Sequence, residues 1–411
     1  MVKAFKIVKS KFVSNNKKTK NTMKKLLFST FALALFLGSC SSDDDENIIP
    51  TPIATGELSG EITTAKTYPL GNYTIKGTLK IKSTGSLRIA AGSTITADVE
   101  NGADALLVEN GGKLFLEGTA ALPIVFTEKS KIAGSWGGII MYGDAPIVGA
   151  NSVTSATSED GNQLTYGGTN STHNGGILKY VRVEYAGKKL TDNTSEMNGF
   201  SFYSVGSGTT LENLVAYKGA DDGFEFYGGT VSAKNLISYG NFDDSFDWQD
   251  GWRGQNNTNW YAYQVNTGNF GMEIEAKNIN NSFGPKVSGI TLTRAAGTVT
   301  EGGTSASEYD AIQFKKEGNG EYSNIVISGY TTSGATAVRI QDANTNTNQV
   351  NSGKIKILNV KINDGTSNYG GVGSSFSVSF DSANFTTSSS ATGASLTSGA
   401  WSIVDGVNLL P

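Results

Sequence analysis

Apolar and polar residues alternate along most of the chain from about residue 56 onward. In residues 73–98, apolar residues occupy every second position over short stretches that glycine or serine interrupts. The same texture continues in residues 105–128. Because successive side chains of a strand point to opposite faces, this pattern predicts short strands with one buried face. No stretch beyond residue 56 has a convincing helical period.

The middle of the chain repeats one short strand motif, whose clearest copies are residues 222–226 and 244–248. We align further copies at residues 198–202, 270–274, 310–314 and 336–340. The copies recur about every 22 to 26 residues, with one longer step. A second strand motif is expected at residues 211–214, 233–236, 276–279 and 322–325. A repeat of this length predicts a parallel β-solenoid, in which the stacking of coils buries the core.

Two motifs carry a resemblance to a known family: Trp136-Gly137-Gly138-Ile139 and the segment DDGFEF at residues 221–226. Over about residues 56–411 the chain resembles the right-handed parallel β-helix superfamily of pectate lyases, and in particular Bacteroidota surface lipoproteins. The resemblance implies an all-β fold, a right-handed parallel β-helix with loop insertions. Interruptions of the repeat place these insertions at residues 148–175, 188–197, 249–259 and 284–308.

The resemblance gives little information about activity, because proteins of this superfamily have many different functions. The polygalacturonase pattern pairs an Asp-Asp with a downstream Gly-His-Gly. Here the only histidine, His173, lies upstream of the aspartates, and we expect it on a surface loop.

The N-terminal region resembles a bacterial lipoprotein signal. We expect Met23 to be the true start, residues 1–39 to be the signal region and residues 40–55 to be an acidic tether. The apolar run before Cys40 is too short for a permanent membrane helix, and Cys40 is the predicted lipidation site. The acidic run after Cys40 resembles the signal that sends such lipoproteins to the outer face of the outer membrane. The membrane is therefore expected as a partner only through the lipid, and residues 56–411 as the β-helix domain.

The net charge limits the class of binding partner, and the cysteine count limits the number of disulfides. The net charge is −4, and removal of residues 1–39, which hold nine lysines and no acid, lowers it by nine to −13. This acidity argues against nucleic acid as a partner. Cys40 is the single cysteine, so a lipidated chain would contain no disulfide.

The acidic residues of the repeat are expected to stack, because neighbouring parallel strands lie about 4.8 Å apart. Glu225 would lie over Asp247 on the outer face, and we take these two as candidate catalytic residues. The aspartate pairs that precede the strands would stack as well and are the candidate metal ligands: Asp221, Asp222, Asp243 and Asp244.

Three outcomes could relieve the repulsion between the stacked carboxylates. Ca²⁺ could bridge them, one carboxyl could keep its proton and form an acid–base pair, or the aspartates could accept hydrogen bonds from turn N–H groups. The sequence leaves these three open.

Aromatic residues near the acidic strands predict a sugar-binding edge, because aromatic faces stack on sugar rings. The candidate ligand-binding residues are Trp252, Arg253, Trp260, Tyr261, Tyr217 and Tyr239. We expect Tyr217 and Tyr239 to stack one coil apart. The alternative for Trp252 and Trp260 is packing in the core.

The sequence thus favours a lipid-anchored surface protein of the outer membrane that binds extracellular polysaccharide, with Ca²⁺ as the candidate ion. An outer-membrane transporter is a candidate partner. Two alternatives stay open: a polysaccharide lyase or glycoside hydrolase that uses the stacked carboxylates, and a structural or adhesive surface protein without turnover.

Overall fold

The computed structural model describes residues 53–99, 104–190, 196–301, 307–373 and 376–411. The predicted signal region, Cys40 and most of the predicted tether lie outside the described residues. Within the described part, the chain is a right-handed parallel β-helix in which 24 strands belong to one continuous network of parallel pairs. The predicted fold class is therefore confirmed. Among these residues, no helix has the length and apolar character needed to cross a membrane.

The described residues contain 28 strands, of which 24 build the β-helix and four form two separate antiparallel pairs, residues 156–157 with 165–166 and residues 403–404 with 407–408. They are β1 (Ala54–Ile62), β2 (Ala65–Tyr68), β3 (Gly71–Ile81), β4 (Ser86–Ile89), β5 (Thr94–Ala97), β6 (Ala105–Val108), β7 (Lys113–Glu117), β8 (Ile124–Glu128), β9 (Ile139–Tyr142), β10 (Ala156–Thr157), β11 (Thr165–Tyr166), β12 (Gly176–Glu184), β13 (Phe200–Tyr203), β14 (Thr210–Tyr217), β15 (Phe224–Tyr227), β16 (Ala233–Tyr239), β17 (Phe246–Gln249), β18 (Asn257–Gln264), β19 (Met272–Glu275), β20 (Lys286–Arg294), β21 (Ile312–Lys315), β22 (Gly320–Ser328), β23 (Thr336–Ile340), β24 (Ile355–Ile362), β25 (Ser367–Gly371), β26 (Phe385–Thr387), β27 (Ile403–Val404) and β28 (Val407–Asn408).

The helical segments whose bounds the structure describes are single turns. These are α1 (Ala343–Thr345), a π-helical turn (Asn346–Val350) and two 3₁₀ turns (Ala150–Ser152 and Ala400–Ser402).

Each central coil contains one short strand and one long strand. We call the short strands β13, β15, β17, β19, β21 and β23 the A strands, and the long strands β14, β16, β18, β20, β22 and β24 the B strands. The A strands pair in the predicted register, with Phe224 opposite Phe246 and Glu225 opposite Asp247. Phe224 and Phe246 point into the core, where their ring centroids lie 5.7 Å apart. The inward positions of the A strands thus form a continuous apolar stack.

The predicted position of one B strand is wrong. Residues 276–279 form a turn, whereas B strand β18 begins inside the region expected as an insertion at residues 249–259, and B strand β20 lies within the one expected at residues 284–308. Lys277 and Asn278 both adopt positive φ, 50° and 62°. Two consecutive left-handed residues reverse the direction of the chain, whereas each B strand contains only one such residue. The similarity of residues 276–279 to the B-strand motif therefore predicted a strand where the structure has a turn.

The B strands share a bend at one stacked position. Asn213, Asn235 and Asn259 adopt φ values of 58°, 59° and 60° there. Asparagine tolerates this left-handed conformation better than most residues. The side-chain amide of Asn235 donates to Asn213 Oδ1 at 3.0 Å, and that of Asn259 donates to Asn235 Oδ1 at 3.0 Å. This asparagine ladder fixes the corner of consecutive coils.

Substitution of Asn235 tests the ladder. Asn235→Ala should destabilise the protein by about 3 kcal/mol, because it removes two hydrogen bonds and replaces asparagine with a residue that tolerates the left-handed conformation less well. Asn235→Gly loses the same hydrogen bonds without that strain and should cost about 1 kcal/mol less. Chemical denaturation followed by circular dichroism measures both. Equal losses for the two variants would contradict a strained corner.

Candidate metal centre

The outward side chains of the A strands form a column on one face of the β-helix. Glu225 pairs with Asp247 and Asp247 pairs with Glu273 in adjacent coils. The inward neighbours on both sides are core aromatic or aliphatic residues, so the two-residue period of the strand directs these acids outward. The acidic column predicted from the repeat is therefore present.

The aspartate pairs stand just before the A strands, and the second member of each pair holds the next coil. Asp222 Oδ1 accepts a hydrogen bond from the backbone N–H of Asp244 at 2.8 Å. Asp244 Oδ1 accepts one from the backbone N–H of Phe270 at 2.6 Å. Asp310 continues the series by accepting from the N–H of Thr336 at 2.6 Å. Hydrogen bonding to turns, one of the three alternatives, therefore accounts for one oxygen of Asp222 and one of Asp244.

The column and the aspartate pairs line a cavity of about 330 Å³, which we call the acidic cavity. Residues from several loops close it. Its charged lining comprises twelve carboxylates and two lysines: Glu159, Glu196, Asp221, Asp222, Glu225, Asp243, Asp244, Asp247, Glu273, Glu275, Glu301, Glu308, Lys277 and Lys315. The cavity therefore has a large excess of negative charge.

The lysines neutralise only one end of the cavity. Lys277 lies 3.2 Å from Glu275, and Lys315 pairs with Glu273. Within the described ranges, no lysine or arginine nitrogen lies within 4.0 Å of the aspartate pairs, Glu225 or Asp247. Lys315 and Lys189 therefore act on Asp247 and Asp221 only from a longer distance, without forming an ion pair with them.

Three buried carboxylate oxygens of the described cavity lining have no hydrogen-bond partner, and one of them, Glu275 Oε1, lies 3.2 Å from the Lys277 ammonium group. The other two, Asp221 Oδ2 and Asp247 Oδ1, are both buried and unpartnered, and the Asp221 side chain is only 2% exposed. An unpaired buried carboxylate is unfavourable, because its solvation by water is lost without replacement. These oxygens are arranged for a group that the protein itself does not supply.

Burial and mutual repulsion disfavour the ionised form of these acids. Burial, followed by the charge of Asp243, raises the pKa of Asp221 and of Asp222 well above the usual aspartate range. Burial, followed by the charge of Glu159, raises the pKa of Glu225 to about 8. Burial, followed by the charge of Glu301, raises the pKa of Asp243 to about 7.

Glu275 behaves differently from the other acids. Burial acts to raise its pKa, but the charges of Lys277, Lys315 and Lys316 outweigh burial and lower it. The contrast shows that a nearby cation lowers the pKa of a buried carboxylate in this cavity and so favours its ionised form.

The unpaired acids also have the spacing of a metal site. In three overlapping groups, one oxygen from each residue lies within 4.8 Å of the others; the groups are Asp221–Asp222–Asp243, Asp222–Glu225–Asp247 and Asp244–Asp247–Glu273. Ca²⁺ binds oxygen at about 2.3–2.6 Å, so two of its ligands lie at most about 5 Å apart. Each group therefore fits a hard cation, and Asp222 and Asp247 could each bridge two positions.

The prediction that Trp252 and Trp260 stack on sugar is wrong. Both are in the core, 1% and 0% exposed. The ring of Phe226 lies 4.5 Å from that of Trp252 and 5.9 Å from that of Trp260. Their indole N–H groups donate to the backbone carbonyls of Val231 and Ala233. The structure therefore shows core packing, which was the alternative for these two residues.

The tyrosine candidates lie on the B strands and not in the acidic cavity. Tyr217 and Tyr239 stack as predicted, with ring centroids 5.6 Å apart. Tyr261 is 6% exposed and packs in a cluster with Trp401 from the C-terminal segment, which leaves no open face for a sugar. Tyr217 is also 6% exposed and belongs to the same cluster, so a ligand-binding role stays a prediction only for the partly buried Tyr239.

Two further candidates lie away from the acidic column. Arg253 is outside the cavity lining, with its guanidinium 3.7 Å from the centroid of the Phe283 ring. His173 is 4% exposed, and its Nδ1 accepts a hydrogen bond from the N–H of Gly206. The expectation of a surface histidine is therefore wrong, because the side chain packs against the backbone at Gly143 and Gly206.

Several cavity residues were missed by reasoning from the repeat. Glu159, Glu196, Glu301 and Glu308 come from loops, where no spacing signals their position. Glu275 and Lys315 could have been found, because they pair in register two positions beyond Glu273 and Gln313 on their strands.

Comparison with known proteins agrees with this architecture. The chain belongs to the family described as pectate-lyase like beta helix domain, whose model matches residues 60–403. A solved structure with some likeness is the endo-xylogalacturonan hydrolase from Aspergillus tubingensis, at 15% identity and a TM-score of 0.26, covering 82% of this chain and 91% of that one. The comparison with curated proteins gives no match.

The acidic cavity predicts an unusual pH dependence of stability in metal-free protein. Because the pKa values of Glu225 and Asp243 are raised to about 8 and about 7, the folded state binds protons that the unfolded state has released above about pH 4. The free energy of unfolding should therefore fall as pH rises from about 5 to about 8. Thermal melts in chelator measure this, and a stability that rises over the same range would contradict it.

Proposed function

We propose that this protein is a lipid-anchored surface protein of the outer membrane that binds extracellular polysaccharide through calcium ions held in the acidic cavity. The anchor would be Cys40, the cavity would face the cell exterior, and an outer-membrane transporter is the proposed partner. Binding without turnover is the activity that we favour.

The observation that carries the proposal is the pair of buried carboxylate oxygens without partners, Asp221 Oδ2 and Asp247 Oδ1. They belong to acid groups whose spacing suits a hard cation, and no lysine or arginine nitrogen of the described chain lies within 4.0 Å of either residue. A divalent ion would satisfy these oxygens and offset the repulsion between the coils. Calcium is the preferred ion because it accepts six to eight oxygen ligands in flexible geometry.

The same arrangement supports sugar as the ligand. A calcium ion held by three carboxylates has coordination positions left for sugar hydroxyl or carboxylate oxygens. The cavity volume of about 330 Å³ is at the lower end of the range for small-molecule sites. It would therefore take one or two sugar units of a longer chain, with Gln249 and Asn198 among the polar groups at its wall.

Calcium binding should be visible as a change in stability. Adding calcium to chelator-treated protein should raise the melting temperature, by an amount that corresponds to about 2.7 kcal/mol at a hundredfold excess over Kd. In Asp247→Asn the response should be much smaller, while the metal-free melting temperature should increase because one repelling charge is gone.

Asp310→Asn is the matched control for Asp247→Asn. Asp310 holds a coil corner in the same way as Asp222 and Asp244, but it does not line the cavity. This variant should lose stability, yet its response to calcium should equal that of the wild type. An identical melting curve with and without calcium in the wild type would refute the proposed ion.

Glycan binding should depend on that calcium. Calorimetry against a panel of polysaccharides should detect binding in calcium that chelator abolishes and that Asp247→Asn weakens by at least about tenfold. Asp310→Asn should bind as the wild type does. Binding that survives both chelator and Asp247→Asn would place the glycan elsewhere.

A hydrolase or lyase is the second candidate, and the environment of Glu225 favours it. Its carboxylate accepts hydrogen bonds from Asn198 at 2.7 Å, Gln249 at 2.9 Å and the Tyr227 hydroxyl. With a pKa of about 8, Glu225 would carry a proton near neutral pH, as a general acid must, beside Asp247 in the next coil. Lys315 also lines the cavity. Burial acts to lower its pKa, but the charges of Glu273 and other nearby acids outweigh burial and raise it, which disfavours the neutral amine that a lyase would need as a base.

Turnover assays separate the two candidates. For the binding protein we expect neither reducing ends nor unsaturated sugars from any polysaccharide that binds. Release of either product by the wild type, lost in Glu225→Gln with binding retained, would establish the enzyme instead.

A further inference from the structure

A second, larger groove lies on a different part of the surface. It encloses about 780 Å³ and shares no lining residue with the acidic cavity. Its lining follows the turns after six consecutive A strands, from Ser207 after β13 to Lys354 after β23. Since coils repeat every 4.8 Å or so, the groove is about 24 Å long, which suits an extended chain better than a compact small molecule. We call it the basic groove.

The charge of the basic groove is opposite to that of the acidic cavity. Its lining contains four cationic residues, Arg253, Lys286, Lys354 and Lys356, and one acid, Glu321. Lys286, Glu321 and Lys356 stack in register, and each lysine nitrogen lies 3.5 Å from the Glu321 carboxylate. One acid shared between two lysines leaves positive charge uncompensated.

Lys354 adds further uncompensated charge. Its ammonium group donates to Asn280 Oδ1 at 2.5 Å and to the carbonyl oxygen of Asn281 at 2.9 Å. Both acceptors are neutral, so they orient the ammonium group without cancelling its charge.

Arg253 is held in position but only partly satisfied. Its guanidinium stacks on Phe283, and its Nε donates to the carbonyl oxygen of Gly251 at 3.1 Å. Its Nη2 is buried and has no hydrogen-bond partner. A guanidinium that is fixed by stacking and keeps free N–H groups is the arrangement that binds carboxylate or sulfate oxygens.

We propose that the basic groove is a second binding site, which holds an anionic polysaccharide chain with a sulfate or carboxylate group on Arg253. Hydroxyl-bearing residues at one end, Ser207 and Thr230, would contact neutral parts of the sugar. Nucleic acid is the less favourable polyanion, because the one aromatic ring in the described lining, Phe283, is covered by the Arg253 guanidinium and offers no face on which a base could stack. The site needs no metal, so its test is independent of calcium binding in the acidic cavity.

The test is polymer binding by the intact protein in the presence of chelator. Dextran sulfate and polygalacturonate are the two anionic probes, and their relative affinities distinguish sulfate from carboxylate. Neutral dextran is the uncharged control. We expect binding of at least one anionic probe, weakened about tenfold by Arg253→Gln and again by Lys354→Gln.

Matched variants separate a built site from general charge attraction. Lys66→Gln combined with Lys361→Gln removes the same charge from exposed positions outside the groove and should change affinity less than about twofold. Arg253→Lys keeps the charge but loses the planar fork, so its affinity should be intermediate. If Arg253→Gln fails to fold, Lys354→Gln alone carries the test.

Three results would overturn the proposal. These are no binding of either anionic polymer in chelator, equal weakening by the groove variants and by the Lys66 and Lys361 pair, or equally tight binding of duplex DNA.

Discussion

The in-register stacking of coils is the constraint on which the rest of this structure depends. Parallel strands about 4.8 Å apart place each side chain directly over its counterpart in the next coil. In the interior this gives Phe224 over Phe246, a favourable contact between aromatic rings. On the outer face the same register gives Glu225 over Asp247, a repulsive contact. A slip by one residue cannot relieve the repulsion, because it would turn the acids into the core and the aromatic residues to solvent.

The acidic cavity and the basic groove show how one β-helix keeps charges of opposite sign on separate surfaces. The acidic cavity lies over the A strands and the turns before them, whereas the basic groove follows the turns after those strands. Each contains charged atoms without partners, Asp221 Oδ2 and Asp247 Oδ1 in one and Arg253 Nη2 in the other. If these groups served stability alone, they would be expected to pair, because unpaired buried polar atoms are unfavourable. Their separation therefore points to ligands, a cation in one site and an anion in the other.

The aromatic residues show where composition misleads. Trp252 and Trp260 stand in a polar stretch rich in asparagine, which is typical of a sugar-binding loop. Yet both indoles pack against Phe226 inside the coil. The polar neighbours have structural tasks of their own, such as Asn259 in the asparagine ladder.

The sequence by itself determined the all-β fold, the A strands and their register, because strand periodicity and the repeat length are local properties that the chain displays directly. It also determined that Glu225 and Asp247 stack, since this follows from the register alone. Only the tertiary structure decided that loop residues such as Glu159 and Glu301 close the acidic cavity, that the tryptophans point inward and that cations collect in a separate groove. These features depend on contacts between residues far apart in the chain, where neither alternation nor spacing carries a signal.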